Sequence, residues 1–165
     1  MKKILFLSLF LMICAVLSAQ KRIKVACVGN SITYGYTLPN PATDSYPSQL
    51  QQLLGDTYEV GNFGKSGATL LNKGHRPYMQ QEEFKKALAF AGDIVVIHLG
   101  INDTDPRDWP NYRDHFVKDY LALIDSFRVV NPKCHIIIAR LTIVILVLSR
   151  VPVIGMEKFS KVSRQ

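Results

Sequence analysis

Three features of this 165-residue chain predict a three-layer α/β domain built on a parallel, doubly wound sheet. Short apolar runs recur along the sequence with helical patterns between them, the alternation expected of βαβ units. The runs are continuously apolar rather than alternating, as in strands covered on both faces. The first three strand-like runs each lead into a polar, glycine-containing turn, and in parallel sheets ligands bind beyond those carboxyl ends.

The elements follow in order. Ile23–Val28 is the first strand. Tyr46–Leu54 is a helix, with Pro47 near its start and Gly55 just past its end. Tyr58–Phe63 is the second strand and Glu82–Phe90 the next helix. Asp93–Leu99 (DIVVIHL) is strongly β-branched and is the third strand. Tyr112–Val129 carries Phe116, Tyr120, Ile124 and Phe127 at steps of three and four, an amphipathic helix. Asn131-Pro132 ends it, and Cys134–Ala139 is the fourth strand.

Both ends stand apart from this domain, which the pattern bounds at residues 20–141. Lys2 and Lys3 precede ILFLSLFLMICAVL, and Ser18-Ala19-Gln20 follows it. A basic start, an apolar stretch and a small residue at the exit describe a secretory signal peptide cleaved after Ala19. The mature protein is then secreted or periplasmic in a bacterial setting, with no stable membrane anchor. After Arg140-Leu141 the pattern breaks. Residues 142–165 open with the apolar run TIVILVL and turn basic after Pro152, where a doubly wound domain should add another helix and strand. The break reads as a truncation or frameshift near Thr142.

The formal charge is +7, and taking away the two leader lysines leaves +5. Arg150, Lys158, Lys161 and Arg164 in the tail hold much of the excess. No basic stripe interleaved with aromatics runs through the body, so nucleic acid is not an expected partner. Cys27 and Cys134 remain after the leader; both lie in apolar runs and are expected as buried free thiols. No His/Cys/Asp group has metal-ligand spacing, so neither a metal nor another cofactor is expected. Gly64-Lys65-Ser66 resembles a P-loop only superficially, because Glu59 stands where that motif needs its first glycine.

Three turns carry the chemistry: Gly29-Asn30-Ser31, then Asn62-Phe63-Gly64-Lys65-Ser66-Gly67-Ala68-Thr69, then Gly100-Ile101-Asn102-Asp103. If their strands are parallel neighbours, a serine, a glycine-rich backbone and an asparagine amide meet at one sheet edge. A serine attacking an ester generates a tetrahedral oxyanion, for which backbone N–H groups and an Asn amide are suitable donors. Taken singly, Ser31 could instead cap a helix, Gly64 and Gly67 could form a turn, and Asn102-Asp103 could be another cap.

Together and in order, the three blocks resemble those of the SGNH (GDSL-type) hydrolases, with Asn30 where many members have Asp. The resemblance spans Lys21 to about Arg140 and implies a flavodoxin-like α/β/α fold. Asp44-Ser45-Tyr46-Pro47 is similar to the secreted esterase branch related to sialate O-acetylesterases. It implies Ser31 as nucleophile and oxyanion N–H donor, Gly67 as a second N–H donor and the Asn102 amide as a third. The implied activity is hydrolysis of a small acyl ester, an acetyl group on a carbohydrate, through an acyl-serine. Asn30 and His75 are expected to contact the substrate.

The family's base is a histidine in a C-terminal D-x-x-H block, and no such block follows Asn102 in this sequence. The base is therefore unknown. His98 lies within a strand and should face the interior; His135 begins a strand at the far end of the sheet. His115, beside Asp114 in a first helical turn, should be solvated. His75 sits on a loop near the second block, better placed for a substrate contact than for the base. Without a base, hydrolysis should be impaired, and a non-catalytic glycan- or acyl-binding protein is the alternative.

Overall fold

The computed structural model describes residues 21–140. The expected leader cleavage after Ala19 and the expected tail 142–165 lie outside the described residues. Four strands, β1 (Ile23–Gly29), β2 (Tyr58–Gly64), β3 (Ile94–His98) and β4 (His135–Ile138), form one parallel sheet in the order β2-β1-β3-β4. Chain order runs from β1 outward to β2, then returns to β3 on β1's other side. The reversal falls between β1 and β3, the point beyond whose carboxyl edge open α/β sheets bind ligands.

Six helices fill the connections among the described residues, alongside several 3₁₀ turns: α1 (Ser31–Tyr34), α2 (Pro41–Asp44), α3 (Tyr46–Leu54), α4 (Glu82–Phe90), α5 (Trp109–Tyr112) and α6 (Phe116–Val130). Faces alternate along β1. Ala26 and Val28 join Val95 and Ile97 of β3 in a core against Phe84 and Ala87 of α4 and Tyr120, Leu123 and Phe127 of α6. The Phe84 and Phe127 rings meet edge to face, 6.1 Å between centroids. Cys27 faces the other way and hydrogen-bonds Tyr46 of α3, so helices lie on both sides of the sheet. Burial pushes the Cys27 thiol up to about 11, which leaves it an inert packing group.

The expected elements appear at nearly the expected bounds, with three differences. The helix expected over residues 112–129 begins at Phe116 and follows α5 and a 3₁₀ turn, Arg113–His115. His115 therefore lies in that turn and is half-buried rather than fully solvated. Cys134 precedes β4 and is half-buried rather than a buried strand residue, although both cysteines are free as expected. Finally, a long connection over residues 65–81, left unassigned by periodicity, has a defined shape with its own anchors.

Candidate active site

The three motif turns leave adjacent strands in register. Gly29, the last residue of β1, pairs with Gly64 of β2 on one side and His98 of β3 on the other. Beyond the strands, the Lys65 N–H donates to the Gly29 carbonyl at 2.9 Å. Asn102 Nδ2 donates to the Ala68 carbonyl at 2.8 Å. The first turn is thus tied to the second, and the second to the third.

Gly64 must be a glycine for this convergence. A Cβ there would lie 2.1 Å from the Tyr34 nitrogen and 2.7 Å from the Thr33 carbonyl carbon, so α1 rests directly on the end of β2. Gly67 has φ of 76°, the left-handed region that L side chains rarely adopt. That turn leaves the Gly67 N–H without an acceptor among the described residues, while its neighbours Lys65 and Ala68 are bonded.

Ser31 begins α1, but it does not cap the helix. Asn30 does: its Oδ1 accepts the Ile32 N–H at 3.0 Å. Asn30 is fully buried, with its Nδ2 unpartnered among the described residues, so it holds α1 in place and offers no surface to a substrate. This replaces the expectation that Asn30 contacts substrate. With the cap supplied by its neighbour, the Ser31 hydroxyl is partly exposed and has no hydrogen-bond partner among the described residues. The Ser31 N–H, at the first helical position, has no acceptor there either.

Asn102 uses one amide hydrogen on Ala68 and retains a second for another acceptor. The site thus brings together a free hydroxyl, two free backbone N–H groups and half of an amide. Among the described residues, no group of three His, Cys, Asp or Glu side chains could hold a metal ion.

The connection over residues 65–81 is shaped by carboxylates from far along the chain. Asp103, fully buried, accepts the Leu70 and Leu71 N–H groups at 2.9 and 2.7 Å. Asp119 of α6 accepts the Asn72 N–H at 2.8 Å. Asp108 accepts the His75 N–H at 2.9 Å and faces His75 Nδ1 at 2.6 Å. Burial pushes the Asp103 carboxyl up to about 6, against the opposing pull of its amide donors.

The remaining histidines stand apart. His98 is buried in β3, where desolvation lowers its pKa. His135 is exposed at the amino end of β4, opposite the carboxyl edge. His75 is on the loop expected for it. Sequence reading missed its partner Asp108, as well as Asp119 and the adjacent Arg76. Arg76 Nη1 donates to the Ser66 carbonyl at 2.9 Å and lies 3.3 Å from where a Cβ on Gly67 would sit.

Comparison with known proteins bears on the family and the fold. Residues 27–162 match the model of the GDSL-like lipase/acylhydrolase family. An acetylxylan esterase of Xylanibacter ruminicola is 50% identical over 109 residues, covering 66% of this chain but 22% of that protein. Among solved structures, the Clostridium thermocellum family 3 carbohydrate esterase matches with a TM-score of 0.51 at 21% identity, covering 74% of this chain and 63% of that one. AlinE4, an SGNH-hydrolase family esterase, matches with a TM-score of 0.50 at 19% identity, covering 76% and 63%. The chain therefore spans about a fifth of the curated relative's length and somewhat under two thirds of each solved chain. At these identities the solved structures speak for the fold, and the family match speaks for descent. This chain belongs to the GDSL-like lipase/acylhydrolase family.

Proposed function

We propose that this chain is a serine esterase that removes small acyl groups, acetyl above all, from a carbohydrate alcohol. The observation that carries the reading is the Ser31 hydroxyl, left without a partner among the described residues because Asn30 takes the capping bond. Ser31 Oγ attacks the ester carbonyl and forms a tetrahedral intermediate. The Ser31 N–H, the Gly67 N–H and the second Asn102 amide hydrogen receive its oxyanion. Collapse expels the sugar alcohol and leaves an acyl-serine, which water must then cleave.

The acetylxylan esterase relative supports an acetylated xylan as substrate. Export by the leader at residues 1–19 suits a polymer that is met outside the cytoplasm. Both proton transfers need a base, and none of the described histidines is placed against Ser31 by a hydrogen bond. A second reading from another class is a binding protein that holds acyl or glycan ligands without turnover.

Fluorophosphonate labelling followed by mass spectrometry tests the proposal. We expect an adduct on Ser31, with labelling and acetate release from acetylated xylan both lost in Ser31→Ala. A protein that binds acetylated xylo-oligosaccharide but takes no label on Ser31 would instead support the binding reading.

A further inference from the structure

His75 and Asp108 form a pair that the acyl-transfer residues leave unused. Asp108 is 2% exposed, and both of its oxygens face His75: Oδ1 accepts the backbone N–H at 2.9 Å, and Oδ2 lies 2.6 Å from ring Nδ1. A carboxylate oxygen accepts, so this contact favours the tautomer with the proton on Nδ1, in which Nε2 is an acceptor. The imidazole keeps 26% of its side-chain surface exposed. Among the described residues Nε2 has no partner. Anchoring the loop requires only the backbone bond. The second bond does something more, because it fixes which ring nitrogen faces outward.

The position of the pair is set by its neighbour in sequence. Arg76 lies over Gly67 and donates to the Ser66 carbonyl. The segment also folds back on the second motif, with the Thr69 N–H donating to the Arg76 carbonyl at 2.8 Å and the Tyr78 N–H to the Thr69 carbonyl at 2.9 Å. His75 is thus the sequence neighbour of the side chain that covers Gly67, on a segment tied to the second motif.

We propose that His75 contacts the sugar alcohol of the substrate: Nε2 accepts a hydrogen bond from a ring hydroxyl of a neutral saccharide. Asp108 is the positioning residue that holds the accepting tautomer. The inference rests on the esterase reading for its choice of ligand and extends it to the group that recognises the alcohol. Binding of the alcohol product needs no turnover and no base, which separates this contact from catalysis.

The probe is xylotriose, titrated into the full chain. Saturation should shift the Nε2 nitrogen resonance of His75 in the unmodified protein. His75→Ala should weaken binding by roughly three- to tenfold, the value of one neutral hydrogen bond. Asp108→Asn should weaken it similarly and shift the ring toward the Nε2–H tautomer, a signature that loop damage alone does not produce. An unmoved Nε2 resonance at saturation, unchanged affinity in His75→Ala, or no measurable binding of xylotriose would each overturn the proposal. If binding depends on His75 but Ser31 takes no fluorophosphonate label, the catalytic reading fails and the sugar contact stands.

Discussion

Replacing Asp103 with asparagine isolates a buried charge whose effect on stability should change with pH. Asp103 has no exposed surface, and burial outweighs its two amide donors, raising its carboxyl from 3.8 to about 6. Asp108 adds a smaller push in the same direction. In the unfolded chain the group titrates near its ordinary value. Between about pH 4 and 6 the folded protein thus binds more protons than the unfolded one, so stability falls as pH rises. At about 1.4 kcal/mol per unit over roughly two units, wild type loses about 3 kcal/mol from this group.

Asparagine cannot ionise and escapes that loss. It also turns an NH₂ toward one of the two backbone donors, so it should begin about 1–3 kcal/mol less stable at pH 4. Urea unfolding of both proteins at pH 4, 5, 6 and 7 gives the difference, in which most other titrating groups cancel. The wild-type advantage should shrink by about 3 kcal/mol across the series, reaching zero or reversing by pH 7. An advantage that grows with pH would refute the reasoning, because it would mean that the Leu70 and Leu71 amides outweigh burial.

Two further substitutions test how α1 is held. Gly64→Ala places a methyl 2.1 Å from the Tyr34 nitrogen, a backbone atom that cannot swing aside; thermal unfolding should report a loss of about 1–3 kcal/mol, and an unchanged midpoint would deny the close approach. Asn30→Ala removes the bond to the Ile32 N–H and should cost about 1 kcal/mol in urea unfolding. Asn30→Ser should restore most of it, and equal loss in both would show that the capping bond is not what matters.

Local chemistry explains which parts of the fold were readable from the amino acids. The helix at Tyr46–Leu54 and the helix at Glu82–Phe90 appear at the bounds expected, the first marked by Pro47 and Gly55. The start of α6 was misplaced because Phe116, Tyr120, Ile124 and Phe127 report only the buried stripe. Nothing in that spacing reveals the tighter turn over Arg113–His115 ahead of it. That Ser31, Gly67 and Asn102 lie in turns beyond neighbouring strands was legible, because each follows a strand by a few residues. The connection over residues 65–81 was not. Its amides are bonded to carboxylates 32 to 47 positions away, and no window of local sequence contains both partners. Asn30 was misassigned for a related reason, since a polar residue beside a nucleophile looks the same in sequence whether it caps a helix or meets a ligand.

Those long-range carboxylate bonds divide information in a particular way. They grip main-chain N–H groups at Leu70, Leu71, Asn72 and His75, which every residue except proline possesses. The outline of the connection is therefore encoded in residues 103–119, while its exposed side chains are free to be rewritten. Exchanging those side chains could retune what the connection recognises without letting the strap fall. Transplanting the strap alone into a scaffold without the three aspartates should carry the letters across and lose the shape.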